Sequence, residues 1–203
     1  EGVTEIEGSA FYDCTSLTSV VIPSSVTEIG SDAFRGCTSL KSVVIPEGVT
    51  EIGSLAFFGC TSLTSIIVEE DNSVYDSREG CNAIIETATN KLILGCNSTI
   101  IPSSVTEIGS DAFSRCSSLT SIVIPEGVTE IDWGAFADCT SLTSIVIPES
   151  VTKIGIQAFD GCAALKAIYV PVEKKDYYIQ SLPGELHSLI VGMGDEVVEQ
   201  RTL

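Results

Sequence analysis

Residues 23 to 45 read PSSVTEIGSDAFRGCTSLKSVVI. The stretch returns down the chain at a fixed interval. Prolines stand at Pro23, Pro46, Pro102, Pro125, Pro148 and Pro171, and cysteines at Cys14, Cys37, Cys60, Cys116, Cys139 and Cys162. Both series step by 23 residues except for one interval of 56, so two residue types report one period and one coil is ten residues longer than the rest. A period between about 20 and 50 residues predicts a solenoid, in which each unit buries its apolar side only by stacking on its neighbours.

Inside the quoted unit the apolar positions are Val26, Ile29, Ala33, Phe34, Cys37, Leu40, Val43 and Ile45, and the units on either side repeat them one for one. Val43 and Ile45 alternate with exposed positions in a β-branched run, which predicts a short strand ended by the following proline, since proline cannot donate to a ladder. Gly30 to Gly36 reads as one tight helical turn, with Ser31 or Asp32 as cap and Gly36 at the exit. Glutamates share one repeat position at Glu5, Glu28, Glu51, Glu107 and Glu130, with Lys153 breaking the row. Carboxylates ~5 Å apart repel by about 0.8 kcal/mol per pair in water, so the row belongs on a solvated face. A calcium site would need carboxylates converging in a loop, and no EF-hand or Gly-Asp nonapeptide pattern is present.

The pattern P-x-x-V-T-x-I-x-x-x-A-F-x-x-C-x-x-L-x-x-[VI]-x-[IV], repeated six times over residues 1 to 170, resembles the BspA-like, Treponema-type leucine-rich repeats of bacterial surface proteins. That resemblance implies a right-handed horseshoe, with short parallel strands on the concave face, short helical turns on the convex face, and no catalytic residues. It further implies display at the cell surface or secretion, and a role in adhesion or host contact. The long coil contains VYDSREGCNAIIETATNKLILGC, which resembles an insertion in gut Bacteroides members of the same family.

One elongated domain therefore spans residues 1 to 203: repeats at 1 to 68, an irregular repeat with a hairpin at 69 to 101, repeats at 102 to 170, and a C-terminal cap at 171 to 203. Apolar residues supply 44% of the chain, enough for a core along its whole length. In the irregular unit, two apolar runs flanking Thr87 to Asn90 predict a hairpin that sets Glu86 opposite Lys91, Ile85 opposite Leu92 and Cys81 opposite Cys96. Such a hairpin, projecting from the solenoid, is either a recognition element or a decorated coil. The six periodic cysteines are expected to be reduced and buried, and Cys81 with Cys96 is the one pair the hairpin register could bridge. The tail after Pro171 reads as two short helices broken at Pro183 that cover the last coil, with a frayed acidic end from Gly194.

With 28 acidic against 10 basic residues and a net charge of -18, the chain lacks the basic face that nucleic acid or an anionic membrane needs. No run of 18 apolar residues spans a membrane. Glu1 enters the repeat one residue late, so the sequence reads as starting inside a longer protein, and a missing signal segment is uninformative. Nucleophile elbows, zinc-protease and phosphate-loop motifs are absent, the lone His187 completes no triad, and Asn97-Ser98-Thr99 reads as a chance sequon. Trp133, on the outer turn at the position of Ser31, is the only tryptophan for a sugar to stack on. The expectation is a non-enzyme with no cofactor and no metal. It serves either as a surface binding module for a protein or glycoprotein, or as a structural spacer displaying another domain. The candidate ligand-binding surface is the outward row of the strands: Val21, Val44, Ile67, Ile100, Val123, Val146 and Tyr169, flanked by a row of serines. Strand preference alone also accounts for an apolar residue there.

Overall fold

A computed structural model describes residues 2 to 193, so the expected fraying from Gly194 lies outside the described residues. Strands Ser42–Ile45 and Ser65–Val68 pair in parallel one period apart, with Val43 opposite Ile66 and Val44 opposite Ile67. Ser144–Val146 pairs in the same way with Ala167–Pro171, and Val123 bridges to Val146. As the alternation requires, Val43, Ile66, Ile122, Ile145 and Ile168 are all buried. Not every coil makes the expected strand. Residues 19 to 22 and 98 to 101 form no strand pair, and in the second case the amide of Ile100 bonds instead to the carbonyl of Cys81 at 3.0 Å.

A second row of strands was not expected. Glu5–Ile6, Glu28–Ile29 and Glu51–Ile52 form one parallel sheet, and Glu107–Ile108, Glu130–Ile131 and Lys153–Ile154 belong to another. Each places isoleucine inward and the charged residue outward. Threonines just before them extend the ladder with side chains: the hydroxyls of Thr27, Thr50, Thr129 and Thr152 each donate to a threonine carbonyl one coil earlier, at 3.1 to 3.3 Å.

The segment read as a helical turn is a run of β-turns. Amides of Ala33, Arg35 and Cys37 close turns onto Gly30, Asp32 and Phe34, while those of Asp32, Phe34 and Gly36 reach carbonyls of the next coil at 2.7 to 3.0 Å. A helix would turn every amide back on its own coil, so the stacking bonds exclude it. The alternation needs a left-handed residue twice per coil, at Asp32 (φ 57°) and Gly36 (φ 74°), and every regular coil has both. Phe11, Phe34 and Phe57 stack here with centroids 5.1 and 5.2 Å apart, as do Phe113, Phe136 and Phe159 at 5.1 and 5.8 Å.

The irregular unit is a partition. Strands Ile84–Glu86 and Lys91–Leu94 form the hairpin, and the second pairs in parallel with Glu107–Ile108, so the hairpin is part of the wall and does not project. Ile84 packs into the core on the N-terminal side and Ile85 into the core on the C-terminal side, both fully buried. Strands covered on both faces read as continuous apolar runs, which is what CNAIIE and KLILGC are. Glu86 faces Lys91 and Ile85 faces Leu92 as expected, but a bulge then sets Ile84 opposite Leu94. That slip takes Cys81 and Cys96 out of register, and the two lie in different cores as free thiols.

The cap is helix Lys175–Ser181 followed by a 3₁₀ segment, Gly184–Leu189, and a strand, Ile190–Met193, that pairs in parallel with Ala167–Pro171. Tyr178 is buried and its hydroxyl donates to Val151 at 2.8 Å, while Tyr177 donates to Thr152, ending the threonine ladder. His187 bonds to the Leu182 carbonyl at 2.8 Å, a packing role within the cap.

The periodic thiols do more than fill space. Those of Cys37, Cys60, Cys139 and Cys162 donate to the carbonyl of the phenylalanine one coil earlier, at 3.1 to 3.3 Å. Cys14 departs from the expectation of burial and is exposed, because among the described residues no coil stacks on its side, and Cys162 in the last coil is only half-buried. Burial pushes the thiols of Cys60 and Cys116 up to about 12 and that of Cys162 up to about 11, so they stay protonated at neutral pH.

Two outcomes follow from this packing. Phe34, fully buried between two rings, should cost ~3 to 5 kcal/mol on truncation to alanine, measured by urea unfolding, whereas a loss below ~1 kcal/mol would place it outside the core. A thiol reagent at neutral pH should label Cys14 at once, Cys162 slowly and the six buried cysteines only on unfolding, when all eight should react. Fewer than eight in the unfolded, unreduced protein would reveal a disulfide.

Candidate functional site

The strand row and its unpaired neighbours aim one residue per coil at solvent. Val21 is 90% exposed, Ile100 76%, Val123 73%, Ile67 48% and Val44 42%, while Val146 and Tyr169 are half-buried beside the cap. Val44 and Ile67 stand side by side in one pair of strands and Val123, Val146 and Tyr169 in another series, while Val21 and Ile100 belong to coils that form no strand pair, the amide of Ile100 bonding to Cys81. Ser42, Ser98 and Ser121 beside them are exposed and small, leaving the apolar side chains open from that edge. The second series continues past Tyr169 to Val191, which pairs with it in register and is 41% exposed. Sequence reasoning missed Val191 because the tail lies outside the period, although Leu189-Ile190-Val191 is an apolar, partly β-branched run.

The two edges of the row differ in charge. Just past the strands, Glu47, Glu126 and Glu149 are exposed in β-turns that the amides of Val49, Val128 and Val151 close onto the preceding prolines at 3.0 to 3.2 Å. Glu69 continues this edge, and its carboxylate accepts from the amide of Glu47 at 2.9 Å. At the other edge stand Thr18, Thr64, Thr120 and Thr143, with Lys41 and Lys166.

The glutamate row lies on another side of the coil and behaves differently in its two halves. Glu28, between Glu5 and Glu51, has its carboxyl raised first by Glu5 and then by Glu51. Past the hairpin, Lys91 enters the row and pairs with Glu107 at 2.5 Å and with Asp132 at 3.5 Å, and Lys153 pairs with Glu130. Burial pushes Asp132 up, but the amide of Trp133, Ser110 and Lys91 together hold it below the usual carboxylate range. Among the described residues no group of three histidine, cysteine or acidic side chains is placed to hold a metal.

A cleft of 300 Å³ lies between the last coil and the cap, lined by Phe159, Cys162, Leu182 and Leu186, and another of 270 Å³ opens where the irregular unit meets its neighbours. Gly95 takes the phenylalanine position there: its amide bonds to Ala112 at 2.8 Å, and a Cβ on it would come within 2.2 Å of the Phe113 ring. The aromatic stack is therefore interrupted between Phe57 and Phe113. Arg35 and Arg115 approach the ring of Phe58 at 5.0 and 4.9 Å, and burial pushes the Asp111 carboxyl up while Arg35 pulls it back in part. Trp133 and Ile156, one period apart, are exposed on the turn face at 48% and 75%.

A profile described as BspA type leucine-rich repeat region matches residues 4–92 and 85–181 in six copies. Among solved structures, a leucine-rich cell surface protein from Faecalibacterium prausnitzii A2-165 is 30% identical over 98% of this chain, with a TM-score of 0.66. The chain spans 60% of that protein's length. The pneumococcal vaccine antigen PcpA is 24% identical over 82% of this chain and half of its own, with a TM-score of 0.65. A leucine-rich repeat protein from Eubacterium ventriosum is 24% identical over 84% of this chain and 58% of its own, with a TM-score of 0.60. These last two likenesses concern the fold alone. No curated protein matches the chain in sequence.

Proposed function

The chain belongs to the BspA-type leucine-rich repeat family, and on that premise we propose that it is a non-enzymatic binding module of the cell surface that grips a protein or glycoprotein along its outward strand row. Surface display is supported by the Faecalibacterium relative, which is described as a cell surface protein.

The observation that carries the reading is the apolar character of the row where strands pair: Val44 beside Ile67, and Val123, Val146, Tyr169 and Val191 in succession, with Val44, Ile67, Val123 and Val191 exposed. A contiguous apolar surface of a few hundred Å² is the size at which contacts with other macromolecules become the usual explanation.

The test replaces Val44, Ile67 and Val123 together by threonine, which keeps a β-branched shape and removes apolar surface. Thermal unfolding of the variant should match the parent within a few degrees, since the positions face solvent. Retention of mucus or matrix proteins on the immobilised module should fall to background. Undiminished retention would move the site to the cleft or the glutamate row. Equal and negligible retention by parent and variant would leave the spacer as the function.

A further inference from the structure

On the turn face, away from the strand row, the cleft beside the irregular unit holds a backbone edge left without its partner. Where one regular coil follows another, three alternate amides cross between them: those of Asp32, Phe34 and Gly36 meet the carbonyls of Ser54, Ala56 and Phe58 at 2.7 to 3.0 Å. Leu55, Phe57 and Gly59 are the same positions one coil on, and among the described residues their amides reach no backbone carbonyl. Buried amides are nearly always paired, and Phe57 is buried. Leu55 and Phe57 line the cleft, whereas Gly59 faces the side chain of Arg115. In the coil beyond, Ala112 accepts from Gly95, but the carbonyls of Ser110 and Ser114 receive no backbone amide. The aromatic stack breaks at the same edge: the ring of Phe113 lies against Gly95, and Phe57 lines the open space.

We propose that this cleft takes a short peptide arc of a partner protein, a small residue followed by an aromatic one. Its carbonyls accept from the amides of Leu55 and Phe57, and its ring stacks on Phe57. The chain itself shows what satisfies such an edge. The amides of Asp32 and Phe34 are met by carbonyls two residues apart in one arc, Ser54 and Ala56, and the next side chain, Phe57, stacks on Phe34 at 5.2 Å. Carbonyls so placed stand farther apart than the two oxygens of a carboxylate, which selects a polypeptide over a small anion. Main-chain bonds of this kind supply affinity and a pocketed side chain supplies specificity. The cleft of 270 Å³ has room for the ring, since about 150 Å³ holds benzene, and half-buried Leu55, Ile93 and Leu94 give it apolar walls. At the last coil the amides of Gln157, Phe159 and Gly161 are open in the same way, and there Leu182 and Leu186 of the cap line the space with Phe159.

The probe is the chain's own arc, residues 30–36, GSDAFRG, as a peptide capped at both ends. Its aspartate and arginine cancel, so attraction to the net charge of -18 does not contribute. NMR titration should show saturable binding, with amide exchange of Leu55 and Phe57 slowed about tenfold or more at saturation and that of Ile84 and Ile85 unchanged. The peptide with alanine in place of phenylalanine, and N-acetylphenylalanine amide alone, should each bind about tenfold or more weakly. L94W fills the cleft and should abolish binding, whereas L186W fills the space under the cap and should leave it unchanged. The exchange measurement uses the parent protein and decides the matter even where L94W fails to fold. Absence of binding, or binding that leaves the amides of Leu55 and Phe57 exchanging as before, overturns the proposal. Equal binding of N-acetylphenylalanine amide overturns the peptide arc in favour of a lone ring. Loss with L186W but not with L94W overturns it in favour of the cap. V44T/I67T/V123T should bind the peptide as the parent does, so failure here is distinct from failure of the strand row.

Discussion

The structure depends on one constraint: each coil must close so that its backbone groups meet those of the next coil one period away. On the turn side, alternate amides supply the stacking bonds and the remainder close β-turns, which is why two residues per coil take a left-handed conformation. On the opposite side, two-residue strands and threonine hydroxyls do the same work. Once that match is made, every inward side chain meets its own copy. Phenylalanine stacks on phenylalanine, and cysteine donates to the phenylalanine carbonyl of the coil before. Stability is then a sum over neighbours, and an interruption must repair both faces it creates.

The hairpin makes that repair. Its consecutive isoleucines, Ile84 and Ile85, face opposite cores, and its second strand carries Lys91 into the glutamate row, where a positive charge sits beside Glu107. The arc on its turn side is short, with Gly95 where other coils have phenylalanine, and the cleft is the space left over. The outward side chains are what the stacking does not use, and on the strand row they are apolar at Val44, Ile67, Val123, Val146 and Tyr169.

Legibility in the sequence followed from how strongly each feature was periodic. The solenoid, the buried ladder through Val43, Ile66 and Ile145, and the exposed row were readable because a residue repeated 23 positions apart must occupy one place in every coil. The second strand row was not, since two residues such as Glu28 and Ile29 show no alternation. Gly30 to Gly36 has the capping residues of a helix and also those of a β-turn chain, and only the bonds to the neighbouring coil decide between them. Cys81 and Cys96 fell to a bulge between Ile84 and Ile85 that no residue type announces. Val191 escaped because its strand pairing comes from the cap, where no period guides the eye.

Amide hydrogen exchange across residues 81 to 96, read by NMR or mass spectrometry on the native protein, tests this account most directly. A partition between two cores requires the amides of Ile84, Ile85 and Leu92 to be protected as strongly as those of Val43 and Ile66 in the regular strands. Exchange on the timescale of an exposed loop would contradict it. The hairpin would then not be held between the two cores.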